Sequence, residues 1–265
     1  MSSDLEDDYR NIRFTLGRLL EQLRTSQRIE DEAVLIQGLC TQYRRLAICL
    51  VLLEADVESS FASLSKSAHA YLSLLQRVDW NAVVDRYYLC ASRAWPFFDA
   101  LAANEFDSAR RMAPLCASTW AREDEYEDDF LYMKFLFDVL CAGTKSEQAI
   151  ATVARFQALA QSQAPARLKL CEALLTGDEQ KLETAWADLL HERSRELARE
   201  RGNPRADPEM LRTEAHVFIE GVALLRLAGS LGMHVQHLSA PDIPEWLLAS
   251  PRRPRPSALD WRTPP

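Results

Sequence analysis

Glycine is scarce in this chain, at 8 of 265 residues. Sheet proteins need turn residues about every dozen positions, and no stretch of five or more residues here prefers a period of two, so an all-β fold is excluded. Long apolar runs are also missing. The longest is the 8 residues from Leu46 to Leu53, bounded by Arg45 and Glu54, whereas a bilayer span needs about 20. The N-terminus, Met1 to Asp8, is acidic and polar and lacks the basic start and apolar core of a signal peptide. No C-x-x-C pair occurs among the six cysteines, Cys40, Cys49, Cys90, Cys116, Cys141 and Cys171, most of which have apolar neighbours. They read as buried free thiols in a reducing compartment. These absences predict a soluble, cytoplasmic protein with no membrane segment.

The common catalytic signatures are absent as well. There is no G-x-S-x-G, so the sharp turn that exposes a hydrolase serine is missing. Neither G-x-G-x-x-G nor G-x-x-x-x-G-K-[ST] occurs, which excludes nucleotide binding through a glycine-rich loop. No cysteine sits beside a histidine at a helix start, so nothing lowers a thiol pKa. Of the five histidines, His234-x-x-His237 with Asp242 offers two or three potential ligands, but no further ligand is fixed by spacing. A polar loop edge is the better reading, and no metal or cofactor is expected. His191-Glu192 does not extend to H-E-x-x-H, and His216, beside Val217-Phe218, reads as a partly buried helix residue.

What the chain does have is helical periodicity. Leu16, Leu19, Leu20 and Leu23 mark one stripe, and Val34, Leu35, Leu39, Leu46, Leu50 and Leu53 mark the next. Phe61, Leu64, Ala68, Tyr71, Leu72 and Leu75 form a third. Asp79 reads as an N-cap for a helix from about Trp80, with a possible sub-boundary near 76–80, and Pro96 kinks or restarts the helix. The stretch 201–209 is a loop, after which Asp207 caps a helix with Pro208 at its first position. A weak repeat places Asn104, Gly143 and Gly177 at similar helix ends, spaced by 39 and then 34 residues. Asn and Gly supply the left-handed residue that stops a helix, and periods of that size suggest stacked helical hairpins. The expected fold is all-α, a tetratricopeptide-like array of hairpins in one domain over residues 1–249. Prolines crowd late, 7 of the 12 at or beyond position 241. Residues 250–265, with four Arg and five Pro, read as a flexible tail.

Charge is unevenly placed. The formal net charge is −8, and the whole excess lies in residues 1–130, which hold 22 acids and 14 bases. This argues against a nucleic-acid binder, whose grip is largely Lys/Arg neutralisation of phosphate. The tail residues Arg252, Arg253 and Arg255 are the only uncompensated basic patch and lack interleaved aromatics. The run Arg193, Arg195, Arg199, Arg201 and Arg205 alternates with Glu192, Glu196 and Glu200, the pattern of an exposed helix laced with ion pairs. The tryptophans Trp80, Trp95, Trp120, Trp186 and Trp246 read mostly as packing anchors. The densest feature is Glu123-Asp124-Glu125-Tyr126-Glu127-Asp128-Asp129, six acids in seven positions ahead of the aromatic face Phe130 to Leu136. Acids in a first helical turn complement the macrodipole, worth about 0.3–1 kcal/mol each. The same seven residues are also the candidate binding patch for a partner with a basic face.

The order of short motifs carries a resemblance. Arg93-Ala94-Trp95 and Phe98-Asp99-Ala100-Leu101 lie within the stretch from Tyr87 to Ala113, and Asp129-Phe130-Leu131-Tyr132-Met133-Lys134-Phe135-Leu136 follows. Then come Arg167 to Leu175, Ala185-Trp186 to Leu190, and Glu214-Ala215 to Leu227-Ala228. Gly232-Met233-His234-Val235 and Ile243-Pro244-Glu245-Trp246-Leu247-Leu248 close the series. This succession resembles the immunity protein 49 family of bacterial toxin–immunity systems, over residues 10–250 in round numbers. The resemblance implies an all-α, non-enzymatic cytoplasmic antidote that binds and blocks a cognate toxin in interbacterial competition. It implies delivery of that toxin by a contact-dependent route such as type VI secretion, and many such toxins are nucleases with basic active-site faces. The competing expectation is a helical-repeat adaptor for another bacterial protein. An enzyme with an unfamiliar all-α site ranks third.

Overall fold

The computed structural model describes residues 2–26, 28–78, 86–160 and 164–249, together with 251, 257 and 260–263 near the C-terminus. The described residues form eleven α-helices and no strand. The cap expected at Asp79 and the arginines 252, 253 and 255 lie outside them. No described helix is long and apolar enough to cross a membrane.

Three long helices open the chain: α1 (Ser2–Thr25), α2 (Ile29–Glu54) and α3 (Val57–Leu75). Helix α2 packs against both of the others. The α1 stripe is as expected, with Leu16 and Leu20 buried. In α2 the buried face runs through Ile36, Leu39, Tyr43 and Leu46, while Val34 stands exposed. The helix turns its 36-39-43-46 row inward, which puts position 34 on the opposite side. Helix α3 starts where Asp56 accepts a hydrogen bond from Ser59 N at 3.0 Å.

Two short helices follow, α4 (Pro96–Ala102) and α5 (Phe106–Met112). Pro96 sits at the first position of α4, where a missing N–H costs nothing. Every residue of α4 is buried, Asp99 included, so α4 forms the middle of the core. Asn104 ends this unit at φ 60°. Next come α6 (Glu127–Ala142), α7 (Glu147–Ala160), α8 (Ala166–Thr176) and α9 (Glu179–Arg201). Each of these packs on its successor. Gly143 at φ 83° and Gly177 at φ 65° terminate α6 and α8.

The loop after α9 leads to α10 (Pro208–Arg212), capped by Asp207 through Glu209 N at 2.9 Å. Arg45 of α2 pins this region with three ion pairs, to Asp207 (2.6 Å), Glu209 (2.5 Å) and Glu214 (2.9 Å). His216 follows in an exposed turn rather than in a helix, because α10 stops at Arg212. Helix α11 (Ile219–Ser230) then returns to pack on α4 instead of extending a linear stack. The six cysteines form no disulfide; five are buried and Cys141 is exposed. The end of the expected tail is docked: Trp261 is 2% exposed, and Tyr43 Oη donates to its carbonyl at 2.5 Å.

Candidate functional site

The acidic run straddles a helix start. Its last three acids, Glu127, Asp128 and Asp129, form the first turn of α6. Glu123, Asp124 and Glu125 lie in the preceding turn, where Asp124 N and Glu125 N both donate to the Ala121 carbonyl. The chain reaches α6 extended at Tyr126 (ψ 144°), which leaves that ring 79% exposed.

The seven residues then divide by partner. Glu125 turns inward: its carboxylate accepts from Ser92 N at 2.9 Å and from Ala121 N at 3.3 Å, and its carbonyl accepts from Trp120 Nε1 at 3.0 Å. It staples the loop to the 3-10 turn Ala91–Arg93. Glu127 holds Arg155 of α7 at 2.5 Å, and Asp129 holds Arg167 of α8 at 2.8 Å. Glu123, Asp124 and Asp128 make no ion pair with the described residues.

Five residues of the run, Glu123 to Tyr126 and Asp129, line a cleft of about 510 Å³. Trp95, Phe98, Tyr132 and Met133 supply its aromatic and apolar wall. Four arginines also reach it, and each is engaged internally, Arg122 over the Trp120 ring at 5.9 Å. Arg44 stacks over Trp95 at 4.2 Å and reaches through to the buried Asp99 at 2.7 Å. Arg93 stacks over Tyr87 at 4.2 Å and donates to its hydroxyl. Arg167 stacks over Tyr132 at 4.7 Å, and Glu220 of α11 joins Asp129 in holding it. The carboxylates around Arg167, chiefly Glu220, hold its guanidinium firmly protonated. Burial raises the Asp129 carboxyl above its ordinary value, Arg167 opposes that rise, and the nearby Asp128 and Glu220 add to it.

A smaller cleft of about 250 Å³ shares Asp129, Arg167 and Glu220 with the first. Here Glu192 and Glu196 of α9 join the acids of α6. Residues 129, 167, 196 and 220 are scattered along the sequence, so neither periodicity nor spacing connects them. Asp129 stood out in the sequence as part of the acidic run, and for Arg167 and Glu220 the signal was that each falls within a motif of the family resemblance.

The remaining sequence candidates resolve differently. His234 Nδ1 lies 2.7 Å from Glu179, and His237 Nε2 lies 2.6 Å from Glu183, so each histidine ties the 231–238 turn to one turn of α9. No group of three or more metal-ligating side chains forms among the described residues. The arginine-rich run of α9 contains no internal ion pair among the described residues. Arg193 instead reaches Asp242 at 2.6 Å, and Glu192 accepts from Ala166 N at 3.0 Å. Tertiary partners outcompete the weak i, i+4 pairing of exposed side chains.

One family model matches the chain: immunity protein 49, over residues 46–247. The match begins inside α2, later than the resemblance suggested, and leaves α1 outside it. No curated protein and no solved structure matches.

Proposed function

The chain belongs to the immunity protein 49 family, and we propose that it neutralises a cognate toxin by binding it directly, through the rim of the larger cleft. The observation that carries this reading is the stapled loop before α6. It presents two carboxylates without ion pairs, Glu123 and Asp124, beside an exposed tyrosine, with Asp128 one turn further on. Glu125 fixes that loop before any partner arrives, so little ordering entropy remains to be lost on association.

The chemistry favours a toxin with a basic face, such as a nuclease. Fixed negative charge at the rim steers a cationic partner and raises its association rate. Tyr126 supplies the amphipathic contact that often dominates an interface. Inhibition on this reading needs no catalytic group, no cofactor and no metal. The setting we assign is the bacterial cytoplasm, against toxins delivered by type VI or a related secretion route.

Co-expression with the toxin domain encoded beside this gene tests the reading, scored by growth and by co-purification. Rescue with a stable complex is the expected result. Glu123→Lys with Asp124→Lys should slow association by about tenfold or more at low salt. Tyr126→Ala should speed dissociation, with a loss of about 2 kcal/mol. Glu127 is left out of the set because its reversal would break the pair with Arg155. Unchanged kinetics in all three substitutions would remove the loop from the interface. Neither rescue nor a complex, with both proteins folded, would favour the adaptor reading.

A further inference from the structure

A groove of about 700 Å³ opens where the start of α1, the end of α2 and the turn after α10 meet. It shares no lining residue with either cleft at Arg167. Leu5 and Tyr9 of α1 and Leu52 and Leu53 of α2 form its apolar wall. Leu52 and Leu53 end the longest apolar run of the chain, whose residues 46–51 are all buried. The groove wall is different. Leu5, Tyr9 and Leu53 are only partly buried by the fold, and Leu52 is 39% exposed. A contiguous apolar surface left open in this way marks an interaction site more often than a chance exposure.

The charge around this wall is one-sided. Both lining arginines already face acids of α1: Arg10 lies 3.0 Å from Asp7, and Arg212 lies 2.5 Å from Asp8. Glu6 and Glu54, both exposed, add two more carboxylates to the rim. Together these residues are four acids against two arginines, with the exposed His216 completing the lining. The walls are also pinned. Arg212 donates to the buried Asp8 through Nε at 2.5 Å and Nη2 at 2.8 Å, so α1 and α10 are tied by a two-point ion pair.

We propose that this groove docks one amphipathic helix of a protein partner, with its apolar stripe on Leu5, Tyr9, Leu52 and Leu53 and its Lys/Arg flank toward Glu6 and Glu54. Leu5 and Tyr9 stand at i and i+4 on α1, a row of the kind that receives the side-chain ridge of a second helix. Apolar side chains at i, i+3, i+4 and i+7 fill such a wall and leave the polar face of the helix at the rim. Carboxylates there steer a basic helix in and repel an acidic one. The pinned walls lose little freedom when the helix arrives. The open apolar wall and the acidic rim are separate observations, and a basic amphipathic helix satisfies both. The inference stands on the groove alone and does not rest on the immunity reading.

The test uses the full chain and a labelled synthetic peptide of leucine and lysine, with the leucines at i, i+3, i+4 and i+7. Fluorescence anisotropy should show saturable binding, at least tenfold tighter than for a scrambled peptide of the same composition. The Leu52→Lys, Glu54→Lys double variant should weaken that binding at least tenfold. Both substitutions fall on exposed side chains, and an unchanged circular dichroism spectrum verifies the fold. A peptide with glutamate in place of lysine should bind at least tenfold more weakly than the lysine peptide. Equal affinity for the scrambled peptide would mean attraction by net charge alone and overturns the groove, as does unchanged affinity in the double variant. Equal affinity for the glutamate peptide overturns the choice of a basic helix. Cross-linking from a benzophenone in place of one leucine reads the wild type without any substitution. Adducts should fall within residues 5–10, 52–54 or 212–216, and adducts confined to other residues overturn the assignment. Sedimentation of the chain alone supplies the last arm: a dimer that the double variant abolishes would give the groove to a second copy and overturn the partner helix.

Discussion

Asp99 sits on a helix with no exposed face. It is 0% exposed, accepts Arg44 Nε at 2.7 Å and Ser67 Oγ at 2.5 Å, and joins the wall of the larger cleft to the core. Burial pushes its pKa up from 3.8 to about 6, and the guanidinium and hydroxyl only partly reverse that. A carboxyl with a raised folded-state pKa favours folding at low pH, and its contribution is lost as pH rises through the folded value. The window runs from about pH 4 to 6, and a shift of that size corresponds to about 3 kcal/mol. The stability of the wild type relative to the Asp99→Asn variant should therefore fall by about 2–3 kcal/mol between pH 4 and pH 7.5. Urea unfolding at a series of pH values measures this difference, in which other titrating groups cancel to first order. A difference that stays flat across the window would mean that Arg44 keeps Asp99 ionised at no net cost.

Among the elements, the turns were the most legible part of the sequence. Asn104, Gly177 and the Asp207-Pro208 start were readable because a local backbone requirement selects the residue type. Gly143 adds a finer distinction. Gly177 sits at φ 65°, ψ 27°, the ordinary left-handed stop, whereas Gly143 sits at φ 83°, ψ 169°, a region open almost only to glycine. A Cβ at either position meets no atom within 4 Å, so the cost of alanine is purely conformational. Gly177→Ala should cost about 1 kcal/mol, and Gly143→Ala should cost more, about 2–3 kcal/mol. Thermal or urea unfolding of the two single variants gives the order, and an equal or reversed loss would refute it. The candidate site was only half legible. The acids before α6 stand out in composition, but Glu125, Glu127 and Asp129 look identical to Glu123 and Asp124 until tertiary packing supplies their partners. Glu196 and Glu220 were invisible as site residues because their neighbours arrive from helices far along the chain. His216 was misread because its apolar neighbours continue the helical pattern past the end of α10.

At the scale of the whole molecule, α2 gathers the chain. It packs against α1 and α3, holds the 207–214 region through Arg45, and receives the C-terminal turn through Tyr43. The family match starts within α2 and stops at 247, so α1 and the C-terminal turn lie outside it; α1 packs on α2, and the turn packs on α3 and bonds to Tyr43 of α2. The turn is tied at three points. Trp261 is buried, Tyr43 Oη donates to the Trp261 carbonyl, and Lys66 Nζ donates to the Thr263 carbonyl at 3.1 Å. Asp260 folds the turn on itself by accepting from Ser257 N at 2.7 Å and Ser257 Oγ at 2.9 Å. A buried tryptophan cut to alanine loses about 3–5 kcal/mol, a large part of the roughly 5–15 kcal/mol that holds a domain together. Trp261→Ala should therefore lower the unfolding free energy by about 3 kcal/mol, and removal of residues 250–265 should cost at least as much, because it also takes away the bonds from Tyr43 and Lys66. Trp261→Phe should recover part of the loss. Urea denaturation of the three variants decides the matter. A loss below about 1 kcal/mol for Trp261→Ala, well short of the usual cost of an aromatic truncation, would mean that the turn is not held against α2 and α3 in solution and that the helical core stands without its C-terminal tie.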